Sequence, residues 1–153
     1  MAVHSNVKIW VHLIWGTQYR QKYKIQAPRA RVALFEQLVE QSKTLAIVIE
    51  KMNVQPEHVH MLFPLPSDRT IADIAKLFKG GSSRWIRQSG LVDSNFSWQR
   101  GYGAFSVSRG HVDRVKRYIA NQDRHHARRG FWGEYEELER SRGAYVLGDD
   151  GGC

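Results

Sequence analysis

The chain has 153 residues, 42% of them hydrophobic, which suits one buried core but not a barrel or a two-domain enzyme. No run approaches the ~20 apolar residues of a membrane span, and residues 1–6 lack the charged and apolar regions of a signal peptide, so a cytoplasmic protein is expected. The one cysteine, Cys153, excludes a disulfide scaffold and a thiolate zinc site, while a net charge of +8 favours a polyanionic partner.

Residues 7–15 alternate, with Val7, Ile9, Val11, Leu13 and Trp15 on one face and Trp10, His12 and Ile14 on the other, which predicts a long central strand. A polar, basic loop follows to Ala27. Pro28 suits the first turn of a helix, and Val32, Phe35, Leu38, Val39 and Leu45 continue at helical spacing. Residues 46–54 are apolar and rich in β-branched side chains, predicting a second strand. After the turn Gln55-Pro56-Glu57, residues 58–65 predict a third strand antiparallel to it, with Val59, Met61 and Phe63 on its core face.

Ser67-Asp68-Arg69-Thr70 offers N-cap chemistry to a helix carrying Ile71, Ile74, Leu77 and Phe78, with an interruption expected near Gly80-Gly81. Residues 89–97 read as a polar connection and residues 98–108 as a strand or bent hairpin. A last helix is expected over residues 111–128, with Val112, Val115 and Ile119 as its apolar stripe. The order is strand, helix, strand, strand, helix, strand, helix. That is an α+β, ferredoxin-like (RRM-like) sandwich: an antiparallel sheet with packed helices and an extra C-terminal helix.

Charge is distributed unevenly. Residues 100–130 carry eight Lys/Arg against two Asp, whereas residues 131–153 carry two Arg against six Asp/Glu. The expected organisation is one domain over residues 1–130 and an acidic, partly flexible tail over 131–153.

Two patterns carry chemistry. In His58-Val59-His60, alternation puts both imidazoles on one strand face, about 7 Å apart at the backbone. Tyr118 and Gln122, four apart on a helix, project together. Two imidazoles and an amide oxygen can hold one divalent metal with positions left open for substrate, and the adjacent phenol can attack what the metal polarises. Singly, each has an ordinary reading: two half-exposed histidines, or a tyrosine packed at a helix border. His4 and His12 show no ligand spacing.

These segments resemble the single-tyrosine HUH transposases of bacterial and archaeal insertion sequences, the IS200-like family with its repeat-associated relatives. The resemblance rests on Pro56-Glu57-His58-Val59-His60-Met61-Leu62 and on Tyr118-Ile119-Ala120-Asn121-Gln122 followed by His125-His126. It extends to Trp98-Gln99-Arg100-Gly101-Tyr102-Gly103-Ala104-Phe105-Ser106-Val107-Ser108 and to His12-Leu13-Ile14-Trp15-Gly16-Thr17-Gln18-Tyr19-Arg20. Together these span about residues 7–130 in order.

The resemblance implies that Tyr118 is the nucleophile and that His58, His60 and Gln122 bind Mg2+ or Mn2+. It implies cleavage and rejoining of single-stranded DNA through a 5′-phosphotyrosine, a hairpin at the element end, and a homodimer. For DNA contact the sequence offers Lys76, Lys79, Arg84 and Arg87 around the second helix, and Arg100, Arg109, Arg114 and Arg117 beyond it. Trp98 and Tyr102 can stack on bases or pack in the core.

Three other readings compete. A replication initiator of the same nuclease class keeps the order of histidines before tyrosine; a relaxase reverses it. A non-enzymatic module binding single-stranded nucleic acid accounts for the charge but not for the pairing of His-x-His with Tyr-x-x-x-Gln. A hydrolase using metal-bound water needs further ligands.

Overall fold

The computed structural model describes residues 6–18, 25–92 and 95–122. Four antiparallel strands form one sheet: β1 (Trp10–Gly16), β2 (Lys51–Val54), β3 (His58–Pro64) and β4 (Gly103–Val107), in the spatial order β2-β3-β1-β4. Three helices pack on it: α1 (Pro28–Leu45), α2 (Ile71–Ser89) and α3 (Val112–Ala120), the last entered through a 3-10 turn at Arg109–His111. This is the expected α+β sandwich, and β1 and β3 are its central strands.

Alternation along β1 and β3 divides the molecule. Val11, Leu13 and Trp15 join Val59, Met61 and Phe63 in a core closed by Leu34 and Leu38 of α1 and by Ile74, Ala75, Phe78 and Ile86 of α2. On the opposite face Ile14, Leu62 and Val107 pack against Val115, Tyr118 and Ile119 of α3. His12, His58 and His60 lie on that second face, all fully buried.

Local chemistry sets the element ends, and several differ from expectation. Strand β1 begins at Trp10, so Val7 and Ile9 lie outside it and are exposed. Helix α1 begins at Pro28 and ends on Ala46, which adopts a left-handed φ of 55°. The Ala46 N–H donates to Lys43 O and the Ile47 N–H to Ser42 O, so the helix end consumes residues that otherwise read as strand. Strand β2 is therefore confined to Lys51–Val54.

Helix α2 is not interrupted at Gly80-Gly81. Thr70 Oγ1 accepts from the Asp73 N–H at its start, and Gly90, with φ of 72°, ends it. A Cβ on Gly81 would meet only the flexible amide end of the Gln41 side chain on α1, and the helix is held by the buried Ile74, Phe78 and Ile86 on either side of the glycine pair. Helix packing overrides the weak local propensity of glycine here.

Within residues 98–108 only Gly103–Val107 form the strand β4, preceded by an isolated bridge between Trp98 and Thr17. The predicted extension of the last helix to residue 128 and the acidic segment 131–153 lie outside the described residues.

Candidate active site

Strand β3 carries the two histidines in adjacent outward positions, and their ring centroids are 4.8 Å apart. Helix α3 crosses this face because Val115 and Ile119 seat on Ile14 and Leu62. That seating brings Tyr118 over the sheet, its ring 6.0 Å from His60 and nearly perpendicular to it. One turn later Gln122 is fully buried, and its Oε1 stands 3.3 Å from His58 Nε2. The sequence-predicted Tyr118, His58, His60 and Gln122 therefore meet within a single chain.

The Gln122 amide is held in one orientation. Its Nε2 donates to the Tyr118 carbonyl at 3.2 Å, which turns Oε1 toward His58. The end of α3 is tied to the sheet edge as well. Asn53 Nδ2 on β2 donates to the Ile119 carbonyl at 3.1 Å, and Gln55 Nε2 donates to Asn53 Oδ1 at 2.7 Å.

The donor set suits a divalent cation. Two ligands about 2.1 Å from one ion sit roughly 3.0–3.4 Å apart at octahedral to tetrahedral angles. The 3.3 Å between His58 Nε2 and Gln122 Oε1 falls in that range. Among the described residues no group of three His, Cys, Asp or Glu side chains is placed to hold a metal. The fitting set is two imidazoles and one amide oxygen, few enough protein ligands to leave room for substrate oxygens.

A third histidine joins them. His12 Nε2 lies 2.7 Å from His60 Nδ1, and the two rings stack with centroids 4.9 Å apart. Burial, and then the neighbouring His58, push the His12 pKa from 6.5 down to about 3, so this imidazole is neutral at physiological pH. Sequence spacing along one strand does not reveal His12. The signal lay in topology: once β1 neighbours β3, the face of β1 carrying His12 becomes the histidine face of β3.

A family model described as "Transposase IS200 like" matches residues 5–122. The chain belongs to the IS200-like transposase family. Among curated relatives, the ISDra2 transposase TnpA of Deinococcus radiodurans is 26% identical over 116 residues, covering 72% of this chain and 81% of its own length. A crystal structure of a protein assigned as a transposase from Deinococcus radiodurans R1 superposes with a TM-score of 0.61 at 24% identity. That match covers 80% of this chain and 96% of the other. A REP-associated tyrosine transposase bound to a REP hairpin superposes at 0.58 with 16% identity, covering 82% of this chain and 74% of the other. These likenesses establish the fold of an IS200-like transposase. None of the helices in the described residues is long and apolar enough to cross a membrane.

Within this family fold, the eight cations offered for DNA contact divide between regions. Arg114 and Arg117 are exposed on α3, the tyrosine helix. Lys76, Arg84 and Arg87 are exposed on α2, which packs on the other face of the sheet. Arg100 and Arg109 are exposed on either side of β4. Lys79 is engaged internally: its Nζ donates to the carbonyls of Gln99 at 2.9 Å and Gly101 at 2.6 Å, and partial burial lowers its pKa. Trp98 belongs to the core, edge-on to Phe96 and Trp15, with Nε1 donating to Ser82 Oγ at 2.9 Å. Tyr102 remains exposed.

Proposed function

We infer that this IS200-like transposase cleaves and rejoins single-stranded DNA by attack of the Tyr118 phenol on a phosphodiester. The observation that carries this reading is the meeting of Tyr118 and Gln122 from α3 with His58 and His60 from β3 inside one chain. In the forward step the Tyr118 oxygen bonds to phosphorus and the bond from phosphorus to the 3′ oxygen breaks. The phenol gives up its proton, and the departing 3′ oxygen takes one. The product is a 5′-phosphotyrosine and a free 3′-hydroxyl. Because the ester keeps the energy of the broken bond, a 3′-hydroxyl can reverse the step without ATP.

His58, His60 and the Gln122 carbonyl would hold Mg2+ or Mn2+, which when bound supplies Lewis-acid stabilisation of charge developing on a phosphate oxygen. The protein's own contribution is placement. Gln122 is oriented by the Tyr118 carbonyl, and α3 is fixed by Asn53 and by its apolar seat. Tyr118 is 6% exposed, with its ring held between the histidine face and α3. Arg114 and Arg117, on the same helix, would attract the strand.

The substrate read here is single-stranded DNA with a hairpin at the element end, a reading supported by the REP hairpin in the similar solved complex. The working assembly is a homodimer of one domain per subunit. The test uses end-labelled single-stranded DNA carrying such a hairpin, with Mg2+ or Mn2+ added. Metal-dependent cutting with label trapped on the protein is expected, and Tyr118→Phe removes the adduct while DNA is still bound. Binding without cutting would mark a binding module, and cutting without trapped label a hydrolase.

A further inference from the structure

The histidine pair that the proposed site uses is accompanied by a third imidazole, and the geometry defines a different task for it. His12 stands on β1 opposite Leu62, and His60 stands opposite Ile14, so the two are diagonal neighbours on one sheet face. At 2.7 Å, His12 Nε2 and His60 Nδ1 are closer than the roughly 3.0 Å minimum for two ligands of one ion at ordinary angles. They are at hydrogen-bond distance, and one nitrogen must donate to the other.

Only one direction is compatible with His60 as a ligand. If the His12 Nε2–H donated, the remaining proton of a neutral His60 would sit on Nε2, and His60 would have no lone pair to offer beyond this contact. If the His60 Nδ1–H donates to His12 Nε2, the lone pair of His60 faces outward on Nε2. A second partner that fixes the tautomer and plane of a ligating histidine is a common device of metal sites. In most of them a carboxylate or carbonyl does this; here it is a neutral imidazole.

We propose that His12 is a positioning residue that accepts a hydrogen bond from His60 Nδ1 and holds His60 in the tautomer able to bind metal through Nε2. The proposal rests on the reading of His58, His60 and Gln122 as metal ligands. It adds a requirement on β1, a strand that contributes no ligand itself. The stacked geometry of the two rings, 29° apart in plane, also restricts rotation of His60 about its side-chain bonds.

The test combines a tautomer measurement with metal titration on the full chain. In metal-free wild-type protein, long-range 15N–1H spectra should show His60 protonated on Nδ1 and bare on Nε2. Titration with Mn2+, followed by the loss of free-ion EPR signal, should give an affinity at least tenfold weaker for His12→Leu than for wild type. His12→Gln, whose amide oxygen can accept the same hydrogen bond, should restore most of that affinity. A merely structural role would move thermal stability in both variants without this split in Mn2+ affinity.

A wild-type His60 protonated on Nε2 would overturn the proposal, as would a folded His12→Leu binding Mn2+ as tightly as wild type. If His12→Leu does not fold, the wild-type tautomer decides alone. Failure of the metal-site reading is separable: His58→Ala would then bind Mn2+ as well as wild type does.

Discussion

The two faces of the sheet are built from the same strands but do opposite jobs. One buries Val11, Leu13, Trp15, Val59, Met61 and Phe63 under two long helices. The other, under the nine-residue α3, buries His12, His58, His60 and Gln122 beside a smaller apolar cluster. Burying polar side chains contributes little to stability and costs free energy unless each is hydrogen-bonded. The first face therefore stabilises the fold, and the second uses that stability to hold reactive groups out of water. The division follows from alternation: one strand can serve both roles because adjacent residues point opposite ways.

The sharpest way to break the comparison is to truncate the face under the two long helices. Phe63→Ala, at a fully buried position of the helix-covered core, should cost about 3–5 kcal/mol of stability by denaturant unfolding. It should reduce cleavage only in proportion to the unfolded fraction.

A second test uses acid. His12 binds its proton near pH 3 when folded but at its ordinary 6.5 when unfolded. Between those values the unfolded chain binds more protons, so its stability contribution is complete above 6.5 and falls as pH drops toward 3. The melting temperature of metal-free wild-type protein should fall across that window. In His12→Gln this part of the decline should be absent; an unchanged profile would mean that His12 is not buried as described.

Smaller effects sharpen the boundary between the faces. Asn53→Ala removes the donor to the Ile119 carbonyl and should cost about 1 kcal/mol in stability. Its cleavage rate should fall further than that loss explains, because α3 carries Tyr118. Gly80→Ala sits on the exposed side of α2 with open space around the new Cβ. It should stabilise by roughly 0.5–1 kcal/mol and leave cleavage unchanged.

What could be read in advance follows the same division. Alternation in residues 7–15 and 58–65 located both central strands and both faces, although β1 starts only at Trp10 and Val7 and Ile9 stay exposed. The pairing of His58 and His60 with Tyr118 and Gln122 was legible from spacing plus the family resemblance. His12 was not, since its neighbour is 48 residues away in sequence and only the β1–β3 register makes them adjacent. The continuity of α2 through Gly80-Gly81 was hidden because burial of Ile74, Phe78, Ser82 and Ile86 against the sheet, not local propensity, decides it. The shortening of β2 depended on a left-handed Ala46, an unusual conformation for a residue with a Cβ. Lys79 reads in the sequence as a cation for DNA contact, yet two carbonyls of the segment before β4 claim it.

The most direct test of the account is to digest the trapped protein–DNA adduct and locate the modified residue by mass spectrometry. The account predicts a single peptide in which Tyr118 carries a 5′-phosphonucleotide, formed only with divalent metal present. An adduct on exposed Tyr102 or any other residue, or a 3′-linked nucleotide on Tyr118, would contradict it.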